Sequence, residues 1–140
     1  MRYRETFTKT AKSFKGFIPI LLGMLLLISI IITITPWDSI RMNIFTGNPF
    51  IDSLVGALFG SVAAGNPLTS YIIGGELLRQ GISLVAITAF ILAWVTVGVV
   101  QFPAEVLMLG KGFAIARNIV SFVFSMVVAV MTVITLGAVS

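Results

Sequence analysis

The 140-residue chain carries nine Lys/Arg against five Asp/Glu, a formal net charge of +4, and is 58 % hydrophobic with only 10 % charged residues and a mean hydropathy of +1.11. A globular domain usually holds about 25 % charged residues, so this composition cannot furnish a soluble surface and points to lipid as the solvent of most of the chain. Cysteine and histidine are both absent, which excludes disulfides, thiol catalysis, thiolate or imidazole metal sites and histidine general bases; no cofactor, no metal and no enzymatic chemistry are expected.

The N-terminal arm, 1–16, holds Arg2, Arg4, Lys9, Lys12 and Lys15. Such a cluster beside a hydrophobic span faces the cytoplasm and anionic lipid headgroups rather than nucleic acid. The span that follows, Phe17 to Thr35, is uncharged and ends at Pro36. It is too long for a signal-peptide core and lacks a small-x-small cleavage site, so it reads as a retained helix. Asp38, Arg41 and Asp52 read as loop solvation, and Trp37 as part of an interfacial aromatic belt.

The stretch 50–78 is apolar but broken. Gly-Asn-Pro occurs at 47–49 and again at 65–67. The first copy reads as a helix entry, with Asn48 as cap and Pro49 in the first turn. By the same grammar the second copy ends one half-helix near Gly65 and opens another at Pro67, because an interior proline removes a helical hydrogen bond. Small residues recur between the copies: Ser53, Ala57, Ser61 and Gly65 on one row, Gly56, Gly60 and Ala64 on the next. This pattern suits close helix packing, within the chain or across a dimer.

Irregular backbone at membrane depth survives only when buried in protein or facing a cavity. The break therefore marks a candidate solute site formed by Gly65, Asn66, Pro67, Leu68, Thr69, Ser70 and Tyr71, with the amino end of the second half-helix suited to an anion or a polar oxygen. Glu76 and Arg79, three apart, share a helix face and can pair. A third span covers 82–101 and contains Trp94 and Thr96; an interfacial segment covers 102–117; a last span covers 118–139. Glu105 reads as a partner for Lys111, a helix cap or a coupling carboxylate. Glu76, Arg79, Trp94, Thr96 and Glu105 are the candidate gating or coupling residues.

The expected fold is all-α and polytopic, with about four membrane helices in one transmembrane domain, 17–140. If 53–75 crosses the membrane, the positive residues divide six inside to three outside; if it returns on one face, seven to two, which the positive-inside tendency favours.

Residues 60–117 resemble the repeat unit of the predicted permease family that includes the organoarsenical exporters. The resemblance rests on the Gly65-Asn66-Pro67 break, on Leu77-Leu78-Arg79-Gln80-Gly81, on Ala89-Phe90-Ile91-Leu92-Ala93 and on the Gly-flanked basic stretch before the last span. It departs from the family at Leu68, Thr69 and Ser70, where cysteines are usual, and at Trp94-Val95-Thr96, where Ala-Thr-Pro or Ala-Ser-Pro is common. The resemblance implies the permease fold and role without thiol-bound arsenic. Family members look like two related halves and this chain is about one, which implies a homodimer. With the basic arm placing the N-terminus in the cytoplasm, the expectation is an inner-membrane transporter; the donors at the break and the lack of a mid-span acid favour a small polar or anionic solute over a bulky cation. The alternative is a small membrane subunit that scaffolds or regulates a larger complex.

Overall fold

The computed structural model describes residues 2–63 and 66–140, and among them the chain is all-helical, with no strand. Ala64 and Gly65, both named as candidates, lie outside the described residues. The chain divides into two units, 1–35 and 36–140. The first is a single helix, α1 (Arg2–Ile34), in which the basic arm and the apolar stretch from Phe17 run on without a break despite Pro19.

The second unit contains α2 (Trp37–Ile44), α3 (Pro49–Val62), α4 (Pro67–Arg79), α5 (Leu84–Thr96), α6 (Phe102–Leu109) and α7 (Lys111–Val139). The two Asn-Pro signals open α3 and α4 in the same manner. Asn48 Oδ1 accepts from Phe50 N–H and Asn66 Oδ1 from Leu68 N–H, each at 3.0 Å. Each proline sits in the first turn, where its missing N–H removes no intrahelical bond.

The close approaches fix the directions of the helices. Gly56 of α3 lies against Ala86 of α5, and Gly60 one turn on lies against Phe90 and Ala93, so α3 and α5 run parallel. Gly74 of α4 lies against Ile87 and Ile91, Leu77 packs on the cluster formed by Ile82, Ala86 and Ile87, and Pro67 lies near the far end of α5. The second half-helix therefore runs antiparallel to α5, and α3–α4 is a hairpin whose facing ends, at Ala63 and Pro67, lie at the carboxyl end of α5. The shared core joins Ala57, Val85, Ala89, Ala93, Val97 and Ala129, flanked by Phe122, Met126, Val130 and Val133.

Three expected boundaries move. The span placed at 82–101 is helical only to Thr96. Val95, Val97, Val99 and Val100 alternate with Thr96 and Gly98 there, and β-branched residues beside glycine weaken a helix. The interfacial segment 102–117 is not one piece: Gly110, at φ +88°, separates α6 from α7. The last helix consequently begins at Lys111 rather than 118. Residues 37–44, read as loop, form α2 with Asp38 in its first turn.

Asp52 is the clearest correction. It is not loop solvation but lies in the first turn of α3 at 2 % exposure, its Oδ1 accepting from Thr46 N–H at 3.1 Å. The carboxylate ties the Thr46–Gly47 turn to the start of α3 and sits where a helix dipole favours negative charge. Asp52→Asn keeps an acceptor and is expected to change stability little. Asp52→Leu strands a backbone N–H and should cost about 1–3 kcal/mol, read as a lower thermal midpoint in detergent.

Among the described residues, α7 alone is by itself long and apolar enough to cross a membrane; a second crossing is admitted if a bent helix pair counts as one span. The expected count of about four is not reached by this measure, because the breaks cut the other apolar stretches into α3 and α5, both under 18 residues. Of α7, only Ala114, Ser125 and Ala129 are buried. Leu107, Met108, Ile119, Phe124, Met131 and Ile134 stand exposed along α6 and α7, an apolar surface that water would not tolerate over such an extent.

A candidate site where two backbone breaks meet

The hairpin tip and the non-helical segment 97–101 share one cleft. Ala63 and Pro67 from the tip face Trp94, Val95, Val97, Gly98, Val100 and Gln101, enclosing about 330 Å3. Trp94 stacks edge-on against Phe90 at a centroid distance of 5.3 Å, which fixes the indole at the end of α5.

A polar clamp holds the second break. Asn118 Oδ1 accepts from Gly98 N–H at 3.0 Å, and Asn118 Nδ2 donates to Glu105 Oε2 at 2.9 Å and to the Ala114 carbonyl at 2.9 Å. Glu105 Oε1 pairs with the Arg117 guanidinium. One amide thus ties α5's unwound end, α6 and α7 together, while the carboxylate side chain is only 13 % exposed. Gln101 lies over the same turn; a Cβ on Gly98 would sit 3.2 Å from its Oε1 and 3.6 Å from Glu105 Oε1. The expected pairing of Glu105 with Lys111 is replaced by Arg117, because Gly110 lets α6 pack onto the first turns of α7.

The other sequence candidates do not all converge on this cleft. Asn66 is committed to capping α4. Ser70 is fully buried and donates to the Pro67 carbonyl at 2.6 Å, and Thr69 is buried beside it. Leu68 and Tyr71 are exposed on the outer side of α4. Glu76 and Arg79 pair at 3.5 Å but stand at the opposite end of α4 from the tip. Thr96 donates to the Leu92 carbonyl at 2.7 Å and lines a separate apolar groove with Ser121, Phe124, Ser125 and Val128. Gly56, Gly60 and Ser61 are buried; the two glycines press on α5 of the same chain.

Sequence reasoning passed over Gly98, Gln101 and Asn118 as site residues. Their signal was present: Val-Thr-Val-Gly-Val-Val is a poor helix, and a lone amide at 118 heads a long apolar run. Among the described residues, no buried side-chain nitrogen or oxygen lacks a hydrogen-bond partner, and no cluster of acidic residues forms a metal site.

The fold and site define a class: an all-helical protein with a helix able to cross a membrane, a helical hairpin, and two backbone breaks brought together. No family model matches the chain, and no curated protein or solved structure is significantly similar to it.

Proposed function

We propose that the chain is a permease-like half unit of the inner membrane that works as a homodimer and moves a small polar or anionic solute past the paired breaks. One observation carries this reading: the tip of the α3–α4 hairpin and the unwound 97–101 segment line the same cleft, beside a polar clamp, in a protein whose outer surface is apolar. Broken backbone with unpaired N–H and C=O ends is what membrane transporters use to hold a solute or an ion. The residues lining this cleft are neutral, with Trp94 and Gln101 the polar side chains among them and no acidic one, which suits a polar or anionic solute more than a bulky cation.

In this reading the apolar half of α1, the α5–α6 pair and α7 cross the membrane, and α3–α4 enters and returns on one face. Arg41, which reaches over Gly81 at the α4–α5 turn, then shares a face with Arg79. The other seven of the nine positive residues fall on the cytoplasmic side, as the positive-inside tendency favours. A half-length unit needs a second copy to close its site, and twofold pairing is the commonest arrangement.

The test takes the whole chain in detergent. Its mass is expected to be that of a dimer, and Asn66→Cys is expected to crosslink between protomers on oxidation, since no native cysteine competes. Proteoliposomes offered a panel of small anions should show saturable uptake that Gln101→Ala lowers by up to about tenfold, in line with the loss of one hydrogen bond to the solute. A monomer, or tips that never crosslink, would overturn the dimeric permease and favour an accessory membrane subunit.

A further inference from the structure

The first unit carries an unpartnered two-faced surface that transport does not use. Along α1, Tyr3, Phe7, Ala11, Phe14 and Ile18 recur at spacings of four, four, three and four, which places them on one stripe of a 3.6-residue helix. Tyr3, Phe7, Phe14 and Ile18 are exposed large apolar side chains. Between them runs a shallow groove lined by Phe7, Thr10, Ala11, Phe14 and the Lys15 stem. Arg4 and Lys15 border the stripe, and Lys9 and Lys12 occupy the opposite face with Glu5. All four basic side chains are exposed.

From this placement we infer that residues 2–15 form an in-plane amphipathic helix that binds the anionic phospholipid surface, swinging about Gly16–Pro19. The stripe enters the headgroup–acyl boundary, and the basic residues meet lipid phosphates. Charge selects this occupant. A second copy laid along the same stripe would bring two strongly basic helices together, whereas an anionic membrane matches their sign. At about 1.5 Å per residue the 14-residue stretch is about 21 Å long, enough to bury the stripe from Tyr3 to Phe14.

The hinge has its own cause. Pro19 has no N–H to offer the Lys15 carbonyl, so the helical ladder is already interrupted there. A Cβ added at Gly16 would meet nothing within 4 Å, so no packed neighbour resists bending at that turn.

The experiment uses the full chain reconstituted in vesicles, with single cysteines carrying an environment-sensitive fluorophore. Thr10→Cys and Ala11→Cys label the apolar stripe, and Thr8→Cys and Ser13→Cys label its flanks. In vesicles containing anionic phosphatidylglycerol, a lipid-borne quencher is expected to quench the stripe labels at least about threefold more than the flank labels, following the period of an in-plane helix. Zwitterionic vesicles, high salt or the combined Lys9→Gln, Lys12→Gln and Lys15→Gln variant should abolish that difference, because screening and charge removal weaken the attraction. Stripe labels that remain aqueous in anionic vesicles would overturn the inference. So would burial that is equal in zwitterionic lipid, or burial already complete in detergent, which would assign the stripe to a second copy. None of these readouts depends on solute transport.

Discussion

Gly60→Val is expected to leave no folded protein in detergent, and Gly56→Val to do the same. A Cβ on Gly60 would run into the Phe90 carbonyl oxygen, 3.0 Å from its carbonyl carbon and 3.1 Å from the Ala93 Cβ; on Gly56 it would meet the Ala86 carbonyl, 2.8 Å from the carbon. The two carbonyls are α5 backbone and the Ala93 Cβ is fixed to it, so no side chain can rotate away. Overpacking of a core typically costs about 1–3 kcal/mol where side chains can adjust. Here two helices must separate along their whole contact, and a cost of at least about 3 kcal/mol follows. Even alanine should be poorly tolerated at both positions. Gly75 and Gly112 supply the controls: nothing lies within 4 Å of either, so alanine there should gain about 0.5–1 kcal/mol from helix propensity. Thermal unfolding of the purified chain, followed by size-exclusion recovery, separates the two classes. Equal recovery for Gly60→Val and Gly112→Ala would mean that α3 does not pack on α5 as described.

The same glycines show how far the sequence reaches. Period-four spacing of Gly56 and Gly60 was enough to mark a close-packing face, but spacing does not say what packs there, and the partner is α5 of the same chain. The two Asn-Pro signals located the starts of α3 and α4 because capping is local chemistry, decided within three residues. The direction of the second half-helix was not local. It depends on Gly74, Leu77 and Pro67 meeting α5, which single-sequence periodicity does not encode. Apolar content misled twice. It joined 82–101 into one span, although the valine-rich end of that stretch is unwound after Thr96, and it hid Asp52, whose burial follows from a turn at Thr46–Gly47 and not from its own neighbours. In the site, Trp94 and Glu105 were legible as polar or aromatic residues within apolar sequence. Asn118 stood out as a lone amide ahead of an apolar run, but its role did not, since that role arises from three elements converging on one amide.

That amide gives the second large effect. Asn118→Leu removes the acceptor for the Gly98 N–H and the donor to Glu105 at once, leaving a backbone N–H and a mostly buried carboxylate oxygen without a partner. Each stranded group costs about 1–3 kcal/mol, so the variant should lose about 2–6 kcal/mol while keeping its helices. Arg117→Gln should lose less, about 1 kcal/mol at most, because the guanidinium side chain is 37 % exposed and water screens its pairing with Glu105. The order Asn118→Leu, then Glu105→Gln, then Arg117→Gln distinguishes a hydrogen-bonded clamp from a simple ion pair, which would place Arg117 beside Glu105. Hydrogen exchange supplies the local readout. Gly98 and its neighbours through Gln101 should exchange faster in Asn118→Leu, while α3 and the first turns of α5 keep their protection. Because 97–101 forms one wall of the shared cleft, under the proposed function loosening it should also lower saturable uptake while leaving the oligomeric mass of the purified chain unchanged. Unchanged exchange at Gly98 together with unchanged stability would remove Asn118 from the clamp and leave the second break held by packing of Trp94, Val97 and Phe90 alone.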